Sequence, residues 1–381
     1  MTAPSSDRPP RDDGAPGPKA LLALDGGGIR GLITIEVLAR IETVLRERLG
    51  RGPDFRLADV FDYVGGTSTG GIIATCVSVG MSVDEIRAFY LDSGQAMFKK
   101  ARLFDRFRHL YRDHALKTTL QDVLGAETTL GSDRLRTLLL LVMRNATTDS
   151  PWPLSNNPSA RYNLRDREHS NLDLPLWQLV RASTAAPLYF PPEVVDVGGR
   201  KHVFVDGGVT PYNNPAFLLF TMATAPPYRL EWPTGPDDLL LISVGTGAAA
   251  AADAALTPRR MTHVYNAKGL PVALMYGASN QQDLLCRLFS RTRAGAPLDR
   301  ELGDLHGVGA YPPLFTYARY DADLSRDGLD ALGLADVEPG RVQKLDAVDA
   351  MAELQRVGRA VAEAEVRAEH FDGFVPAAAA A

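Results

Sequence analysis

Two short apolar segments, each closed by glycines and followed by a helical pattern, constrain the fold of this chain more than any other feature. Residues 21–25 (LLALD) and 60–68 (VFDYVGGTS) are typical of buried strands. Apolar residues then recur at helical spacing over 32–49 and 71–79, and the first of these helices should end at Gly50. Further buried strands are predicted at 138–144, 203–206 and 239–244. Strands that alternate with helices predict an α/β fold with a mainly parallel central sheet covered on both faces.

Composition and charge exclude several classes of protein. The 381 residues are 45% hydrophobic, which is enough to bury a large core. The net charge of -5 is spread without long charged blocks, so we expect no nucleic acid polymer as a partner. Cys76 and Cys286 form neither a disulfide framework nor a zinc-site spacing. This pattern favours a reducing compartment.

The sequence carries no signal for export or for crossing a membrane. No segment approaches the roughly 18 apolar residues of a membrane-spanning helix. The N-terminus is rich in proline and acidic residues, where a signal peptide would have a basic head and an apolar stretch. We therefore expect a cytoplasmic protein that reaches any lipid substrate by transient, peripheral contact with a membrane.

Three parts are predicted along the chain. Residues 1–18 are rich in proline, aspartate and glycine and should form a disordered tail. Residues 19–340 should form one α/β domain, and residues 341–381 a C-terminal helix with an alanine tail. Within the domain, residues 145–170 are polar and long for a connection, and residues 248–258 are alanine-rich. Both of these segments are interpreted as loops.

A serine lies at the junction between the second predicted strand and its helix. The sequence Gly66-Thr67-Ser68-Thr69-Gly70 fits the pattern G-x-S-x-G. Such a turn holds the serine at its apex in strained geometry, while the glycines let neighbouring segments approach. The following helix directs its N-terminal amides and its dipole at the same point. Ser68 is therefore the candidate nucleophile, and a glycine-rich turn without chemistry is the open alternative.

A glycine-rich loop, Asp25-Gly26-Gly27-Gly28-Ile29-Arg30-Gly31, joins the first strand to the first helix. Amides at a helix start bind anions, whether a nucleotide phosphate or the oxyanion of an ester reaction. A dinucleotide loop needs an acidic residue about 20 positions later at a strand end, but Glu42 and Glu47 lie inside the predicted helix. An oxyanion hole is therefore favoured. Arg30 has three open roles: it pairs with a carboxylate, fixes the loop or binds a lipid phosphate.

An aspartate is the favoured base for the serine. Asp206 ends the apolar strand 203–206 and is followed by two glycines, an arrangement that delivers a side chain to the carboxyl edge of a parallel sheet. His263 and His306 follow it in the order of an α/β-hydrolase triad, but neither stands in a comparable strand-end context. A turn aspartate that caps residues 213–215 is the alternative. Because a free aspartate is a weak base, a Ser–Asp pair favours ester over peptide cleavage.

The motifs DGGGIRG, GTSTG and DGG, in this order, resemble the patatin-like phospholipase family over roughly residues 19–320. The segments RASTAAPLYFPP (181–192) and LLISVGTG (240–247) are similar to the family's equivalents. The resemblance is greatest to bacterial cytosolic members. Some of those are antiphage effectors that cyclic nucleotides switch on to degrade membrane phospholipid, so a cyclic nucleotide is a candidate activator.

The resemblance implies a three-layer α/β/α patatin-like fold and a phospholipase A-type serine esterase. Ser68 and Asp206 would form the catalytic dyad, which cleaves fatty acyl esters of membrane lipids through an acyl-enzyme, without metal or cofactor. It also implies an oxyanion hole and a set of supporting glycines. The oxyanion hole would comprise Gly26, Gly27 and Gly28 with Arg30, and the supporting positions are Gly31, Gly66, Gly70, Gly207 and Gly208.

Residues 97–117 mix cations with aromatic residues at three- and four-residue steps. As a helix, this segment would present an aromatic stripe beside Arg106 and Arg108, a surface suited to anionic headgroups or to a nucleotide activator. A helix with buried aromatics and solvated charges is the alternative.

Other functions stay open at this stage. A nucleotide-binding module would use the glycine loop for phosphate, a scaffold protein would carry an idle Ser68, and a peptidase would cleave amides with the same serine.

Overall fold

The computed structural model describes residues 17–97, 114–166, 169–248, 259, 263–307 and 311–376. Its centre is a nine-stranded sheet. The strands are Lys19–Leu24 (β1), Tyr63–Thr67 (β2), Leu138–Asn145 (β3), Ser150–Ser155 (β4), Glu193–Val197 (β5), Arg200–Asp206 (β6), Leu239–Val244 (β7), Ser290–Ala294 (β8) and Phe315–Tyr320 (β9). The helices are Gly31–Arg48 (α1), Thr69–Ser78 (α2), Val83–Met97 (α3), His114–Leu124 (α4), Leu176–Ser183 (α5), Ala216–Thr224 (α6), His263–Leu288 (α7), Arg326–Ala331 (α8), Pro339–Val342 (α9) and Met351–Glu365 (α10).

The sheet is mainly parallel, as predicted. Its order is β5-β6-β3-β2-β1-β7-β9-β8, and β4 pairs with β3 outside this path. The six strands β1, β2, β3, β7, β8 and β9 run parallel. The strands β4, β5 and β6 are antiparallel to their neighbours. Parallel strands place the turns that follow them at one common edge, and the glycine loop after β1 and the Ser68 turn after β2 therefore lie side by side.

Helices cover both faces of the sheet and give the predicted α/β/α layers. On β1, Leu22 and Leu24 pack with α1 on one face, within a core that also includes α2, α5 and α10. Leu21 and Ala23 point to the other face and pack in a second core with Leu219 of α6 and part of α7. This alternation is the two-residue period of a strand buried on both sides.

The C-terminal helix contributes to the larger of the two cores. The sequence suggests a helix from about residue 346 to 369, whereas α10 spans Met351–Glu365. Its buried face, which includes Leu354 and Val357, lies against α1. Gly358 makes this approach close, because a Cβ there would lie 2.9 Å from the backbone of Ile33.

The interpretation of residues 145–170 as one long loop is wrong. β4 lies within this segment and forms an antiparallel hairpin with β3, in register from Leu140–Ser155 to Asn145–Ser150. β4 was hard to predict because Pro151 and Pro153 interrupt its pattern. Proline is tolerated there because β4 is an edge strand that pairs only with β3.

Several sequence predictions concern residues outside the described part of the chain. They are the N-terminal tail up to residue 16, the basic and aromatic segment 98–113, the alanine-rich segment 249–258 and the final alanines 377–381. Among the helices that are described, none combines the length and the apolar character needed to span a bilayer.

Candidate active site

The turn between β2 and α2 holds Ser68 in an unusual backbone conformation. Its φ of 54° and ψ of -122° lie in a region that residues other than glycine rarely adopt. The turn requires glycine on both sides of Ser68, because neighbouring backbone atoms leave no room for a Cβ. A Cβ at Gly66 would lie 2.1 Å from the carbonyl oxygen of Gly70, and one at Gly70 would lie 2.2 Å from that of Leu24. The G-x-S-x-G pattern therefore forms the strained strand-to-helix turn that the sequence predicts.

Strand register explains why Asp206 meets this turn. β4 occupies one edge of β3 from Leu140 to Asn145, so β2 and β6 must share the other edge. β2 pairs with β3 up to Val142, opposite Thr67, and β6 pairs from Met143, opposite Asp206. The ends of β2 and β6 therefore meet head to head at consecutive positions of β3. The sequence predicts Asp206 at the carboxyl edge of the parallel sheet, which is where it lies, but β6 reaches that edge as an antiparallel strand and not as a parallel one.

Ser68 and Asp206 share a short hydrogen bond. The Ser68 hydroxyl donates to Asp206 Oδ2 at 2.6 Å, and the amide of Gly208 donates to Oδ1 at 2.7 Å. Asp206 therefore does not cap residues 213–215, as the alternative interpretation required. Burial raises the pKa of Asp206 to about 6, although the two hydrogen bonds and the charge of Arg181 act in the opposite direction. A carboxylate with this pKa is a better proton acceptor than a free aspartate and is still ionised at neutral pH.

A second serine, Ser183, fixes the position of the Ser68 backbone. Its hydroxyl accepts the amide hydrogen of Ser68 at 3.0 Å and donates to the carbonyl of Val142 at 2.6 Å. Ser183 is fully buried at the end of α5. One side chain thus ties the Ser68 turn to the strand on which β2 and β6 meet.

The glycine loop offers two uncommitted amides, not three. The amide of Gly26 donates to the carbonyl of Asn213 at 3.0 Å, which corrects the prediction that Gly26 is an oxyanion donor. The amides of Gly27 and Gly28 have no hydrogen-bond acceptor within the described residues. Gly28 has a φ of 61°, and a Cβ there would lie 2.2 Å from the carbonyl oxygen of Leu345. Gly27 and Gly28 are therefore the candidate donors to an oxyanion.

Asn213 links the glycine loop to α7. Besides accepting the Gly26 amide through its carbonyl, it donates from its side chain to the Gly26 carbonyl at 3.4 Å and to Ser279 Oγ at 3.2 Å. A Cβ at Gly26 would lie 3.3 Å from Ser68 Cβ, so this loop packs directly on the serine. Asn213 therefore sets the orientation of the peptide that adjoins Ser68.

A buried ion pair anchors the start of the glycine loop. Arg319 of β9 donates to both carboxylate oxygens of Asp25, at 2.9 and 2.6 Å, and also binds Ser243 and Asp321. Burial raises the pKa of Asp25 to about 6 against the opposing effect of Arg319. The carboxylate is therefore ionised at neutral pH, and each buried charge has a partner, as stability requires.

Arg30 lies at the outer side of the loop. Its guanidinium contacts the carbonyls of Gly27 at 3.4 Å and Gln343 at 3.5 Å, and it forms no ion pair with a described carboxylate. Of its three predicted roles, carboxylate pairing is wrong for this conformation. Burial lowers the pKa of Arg30 to about 10, which leaves it cationic at neutral pH.

Other predicted groups lie away from the serine. His306 is exposed and contacts Asp304, and no described histidine hydrogen-bonds to Ser68 or Asp206. In the described ranges, no three His, Cys, Asp or Glu side chains are grouped to hold a metal ion. Cys76 and Cys286 are buried and unpaired.

Comparison with protein families identifies this arrangement. The model of the patatin-like phospholipase family matches residues 22–220, which include the glycine loop, Ser68 and Asp206. The chain belongs to the patatin-like phospholipase family.

The patatin-like chain is also similar to individual family members. It is 34% identical over 212 residues to a cGAMP-activated phospholipase of Vibrio cholerae, across 52% of this chain and 56% of that protein. It is 29% identical to a cGAMP-activated phospholipase of Escherichia coli, across 59% and 61% of the two chains. Patatin-2-Kuras 1 of Solanum tuberosum is 29% identical, across 62% and 64%. The match thus spans less than two thirds of each of these relatives.

Three residues of this patatin-like site were missed by sequence reasoning. Ser183 lies within the quoted segment 181–192, but its hydroxyl could not be distinguished from those of its neighbours. Arg319 had a usable signal, because an arginine inside the apolar strand FTYARY needs a buried carboxylate partner. Asn213 gave no signal beyond the turn pattern Asn-Asn-Pro.

Proposed function

We propose that this protein is a phospholipase A-type acyl hydrolase in which Ser68 is the nucleophile and Asp206 the base. The observation that carries the proposal is the 2.6 Å hydrogen bond between Ser68 Oγ and Asp206 Oδ2, at a strained turn and beside uncommitted amides. The family of the chain and the names of its relatives support a lipid ester as substrate.

Acylation would begin when Asp206 Oδ2 takes the hydroxyl proton and Ser68 Oγ attacks the ester carbonyl carbon. The carbonyl oxygen becomes an oxyanion, which the amides of Gly27 and Gly28 would bind. Each such donor typically contributes about two to three powers of ten in rate. When the tetrahedral intermediate collapses, Asp206 returns the proton to the leaving alcohol, and the acyl group remains on Ser68.

Deacylation would repeat these steps with water. Asp206 takes a proton as the water oxygen attacks the acyl carbon, and the oxyanion forms again beside the glycine loop. Collapse breaks the bond between the acyl carbon and Ser68 Oγ, and Asp206 returns the proton to that oxygen. The products are a fatty acid and the free hydroxyl of Ser68.

A cyclic nucleotide activator and transient contact with the membrane belong to the same proposal. Two relatives are named cGAMP-activated phospholipases. An enzyme of this kind in the cytoplasm would damage the membrane of its own cell if it were always active. An activator would confine its activity to the times when a signal is present. A role as a membrane-degrading antiphage effector would follow, with general lipid catabolism as the alternative role.

Lipid mass spectrometry tests the function. Bilayers are incubated with the protein or with Ser68→Ala, each with and without cGAMP. We expect fatty acid and lysolipid from the unmodified protein only, and a larger yield with cGAMP. Absence of fatty acid under both conditions, with no labelling of Ser68 by a fluorophosphonate, would refute the hydrolase. Equal yields with and without cGAMP would refute the activator alone, and cleavage of casein but of no ester would indicate a peptidase.

A further inference from the structure

Three of the exposed large apolar side chains belong to segments that adjoin the proposed active site. Leu188 is 74% exposed, Leu274 71% and Val209 44%, whereas Ser68 between these segments is partly buried. Single exposed apolar residues are normal on protein surfaces, but a group around one site indicates an interaction surface.

Each of the three is held close to the dyad by a short chain of contacts. Leu188 lies three residues after Ala185, whose carbonyl accepts the amide of Asp206 at 3.0 Å. Val209 lies three residues after Asp206 itself. Leu274 precedes Met275, whose terminal methyl would lie 3.4 Å from a Cβ on Gly208. Three separate segments thus each carry an exposed apolar side chain within three residues of a group that contacts Asp206 or Gly208, or of Asp206 itself.

The backbone at Leu188 keeps its side chain exposed. Its φ of 72° lies in the left-handed region, which a leucine adopts only when the surrounding structure holds it there. The turn is fixed from within by the amides of Tyr189 and Phe190, which both donate to the carbonyl of Ala186. A strained backbone that keeps a leucine exposed indicates that this leucine contacts a partner at the protein surface.

The segments that carry these residues contain no charge. Residues 182–192, 207–228 and 273–282 have no Asp, Glu, Lys or Arg, although 23% of the whole chain is charged. Inserting such a surface into a bilayer requires no desolvation of an ionised side chain, which is the main cost for charged residues. Segments that lack charge and expose apolar side chains, beside a site proposed to cleave lipids, fit the acyl region of a membrane better than a charged protein partner.

We propose that Leu188, Val209 and Leu274 form an apolar rim that inserts into the surface of a lipid bilayer and brings Ser68 to its substrate. This inference rests on the proposed acyl hydrolase function. The rim acts by apolar burial, so its binding to uncharged vesicles is insensitive to salt.

Vesicle binding tests the rim independently of catalysis. Ser68→Ala and the triple variant Ser68→Ala/Leu188→Ser/Leu274→Ser are sedimented with phosphatidylcholine vesicles at low and high salt. Each leucine lost should weaken the partition coefficient by about tenfold, with little effect of salt. No binding by Ser68→Ala, or undiminished binding by the triple variant, overturns the rim.

Leu302→Ser is the matched control. Leu302 is 40% exposed and lies two residues from Asp304, whose carbonyl binds Arg287. Arg287 is about 20 Å along α7 from Leu274, at the rise of a helix. Leu302→Ser in the Ser68→Ala background should bind vesicles normally, and an equal loss there overturns the proposal.

A second comparison separates the rim from a structural role and from a protein interface. With Ser68 intact, Leu188→Ser/Leu274→Ser should retain its kcat/KM for p-nitrophenyl butyrate within about twofold, while its rate on vesicles falls with its binding. The proposal is overturned if kcat/KM for the soluble ester falls in proportion to the rate on vesicles. It is also overturned if light scattering shows a change in the oligomeric state of the variant. If the unmodified protein cleaves neither substrate, the proposed hydrolase function is refuted. The vesicle-binding assay still tests the apolar rim in that case.

Discussion

In the proposed mechanism, burial of the Asp206 carboxylate is the property that would make an aspartate usable as the base. An aspartate at its ordinary pKa near 4 would hold a proton from serine too weakly to assist attack. The pKa of about 6 moves it towards the pH at which the reaction would run. The same burial makes the base sensitive to mild acid.

We therefore expect kcat/KM for a soluble ester to fall below pH about 6 and to be level above it. The rate falls at low pH because Asp206 accepts a proton only when it is ionised, and the ionised fraction falls as the pH drops through its pKa. A pH profile of p-nitrophenyl butyrate hydrolysis measures this.

Asp206→Asn should lose about 10²–10⁴-fold in rate while remaining folded. A midpoint near pH 4, or an active Asp206→Asn, would contradict the assignment.

Ser183 provides a residue-scale test of the Ser68 turn. Ser183→Ala removes the acceptor of the Ser68 amide and leaves that amide without its partner. We expect kcat to fall by about tenfold or more, because an unpaired buried donor costs about 1–3 kcal/mol and the turn relaxes. The rate of fluorophosphonate labelling measures the reactivity of Ser68 directly.

The control for this prediction is Ser170→Ala. Ser170 is also a buried serine, and its hydroxyl donates to the carbonyl of Asn163, away from the dyad. Labelling that slows equally in both variants would show a general loss of stability rather than a local effect on Ser68.

At the residue scale, the sequence predicts what a local motif encodes. Ser68 and Asp206 each stand in a short pattern of strand and glycines, so both could be proposed without a structure. Whether Gly26 keeps a free amide could not be proposed, because its acceptor, the carbonyl of Asn213, lies 187 residues away in the chain. Arg319 is likewise paired with Asp25 across nearly 300 residues.

At the scale of elements, four of the five predicted strands are buried on both faces, and β6, which is partly exposed, is the exception. β1, β7 and most of β3 are continuous apolar runs, and they were found within one or two residues. β8 was missed because four of its five residues, Ser-Arg-Thr-Arg-Ala, are polar, and a polar strand at the end of a sheet resembles a loop in sequence. The direction of β6 was also missed, because apolar content does not report whether a strand runs parallel or antiparallel.

The head-to-head meeting of β2 and β6 leads to a prediction at this scale. A Cβ at Gly207 would lie 2.3 Å from the carbonyl oxygen of Val142, so Gly207→Ala must push the end of β6 away from β3. We expect the distance between Asp206 and Ser68 to increase and the rate to fall at least tenfold, because a shift of about 1 Å in a catalytic group has large effects. Ester hydrolysis measures this.

Gly340→Ala is the matched control for Gly207→Ala. A Cβ at Gly340 would meet only the side chain of Glu338, at 3.9 Å. If both variants retain full activity, the close packing at Gly207 does not position Asp206.

For the molecule as a whole, the C-terminal region and the glycine loop are one packed unit. The amide of Ile29 donates to the carbonyl of Leu345 at 2.9 Å, and α10 lies on α1, the helix that the glycine loop opens. Two segments that are far apart in the sequence therefore support the same loop. The family match ends at residue 220, so this support lies beyond the segment that carries the family's motifs.

Leu354 tests this support at the scale of the molecule. It is fully buried in α10, and Leu354→Ala should lower the free energy of unfolding by about 2–5 kcal/mol through lost burial and a cavity. Chemical denaturation measures the change, with the exposed Glu363→Ala expected within about 0.5 kcal/mol of the unmodified protein. Because α10 contacts α1 directly, Leu354→Ala should also lower the midpoint temperature at which Ser68 loses its labelling by fluorophosphonate, together with global unfolding. If labelling survives to the original temperature while α10 unfolds, the C-terminal helix does not stabilise the glycine loop.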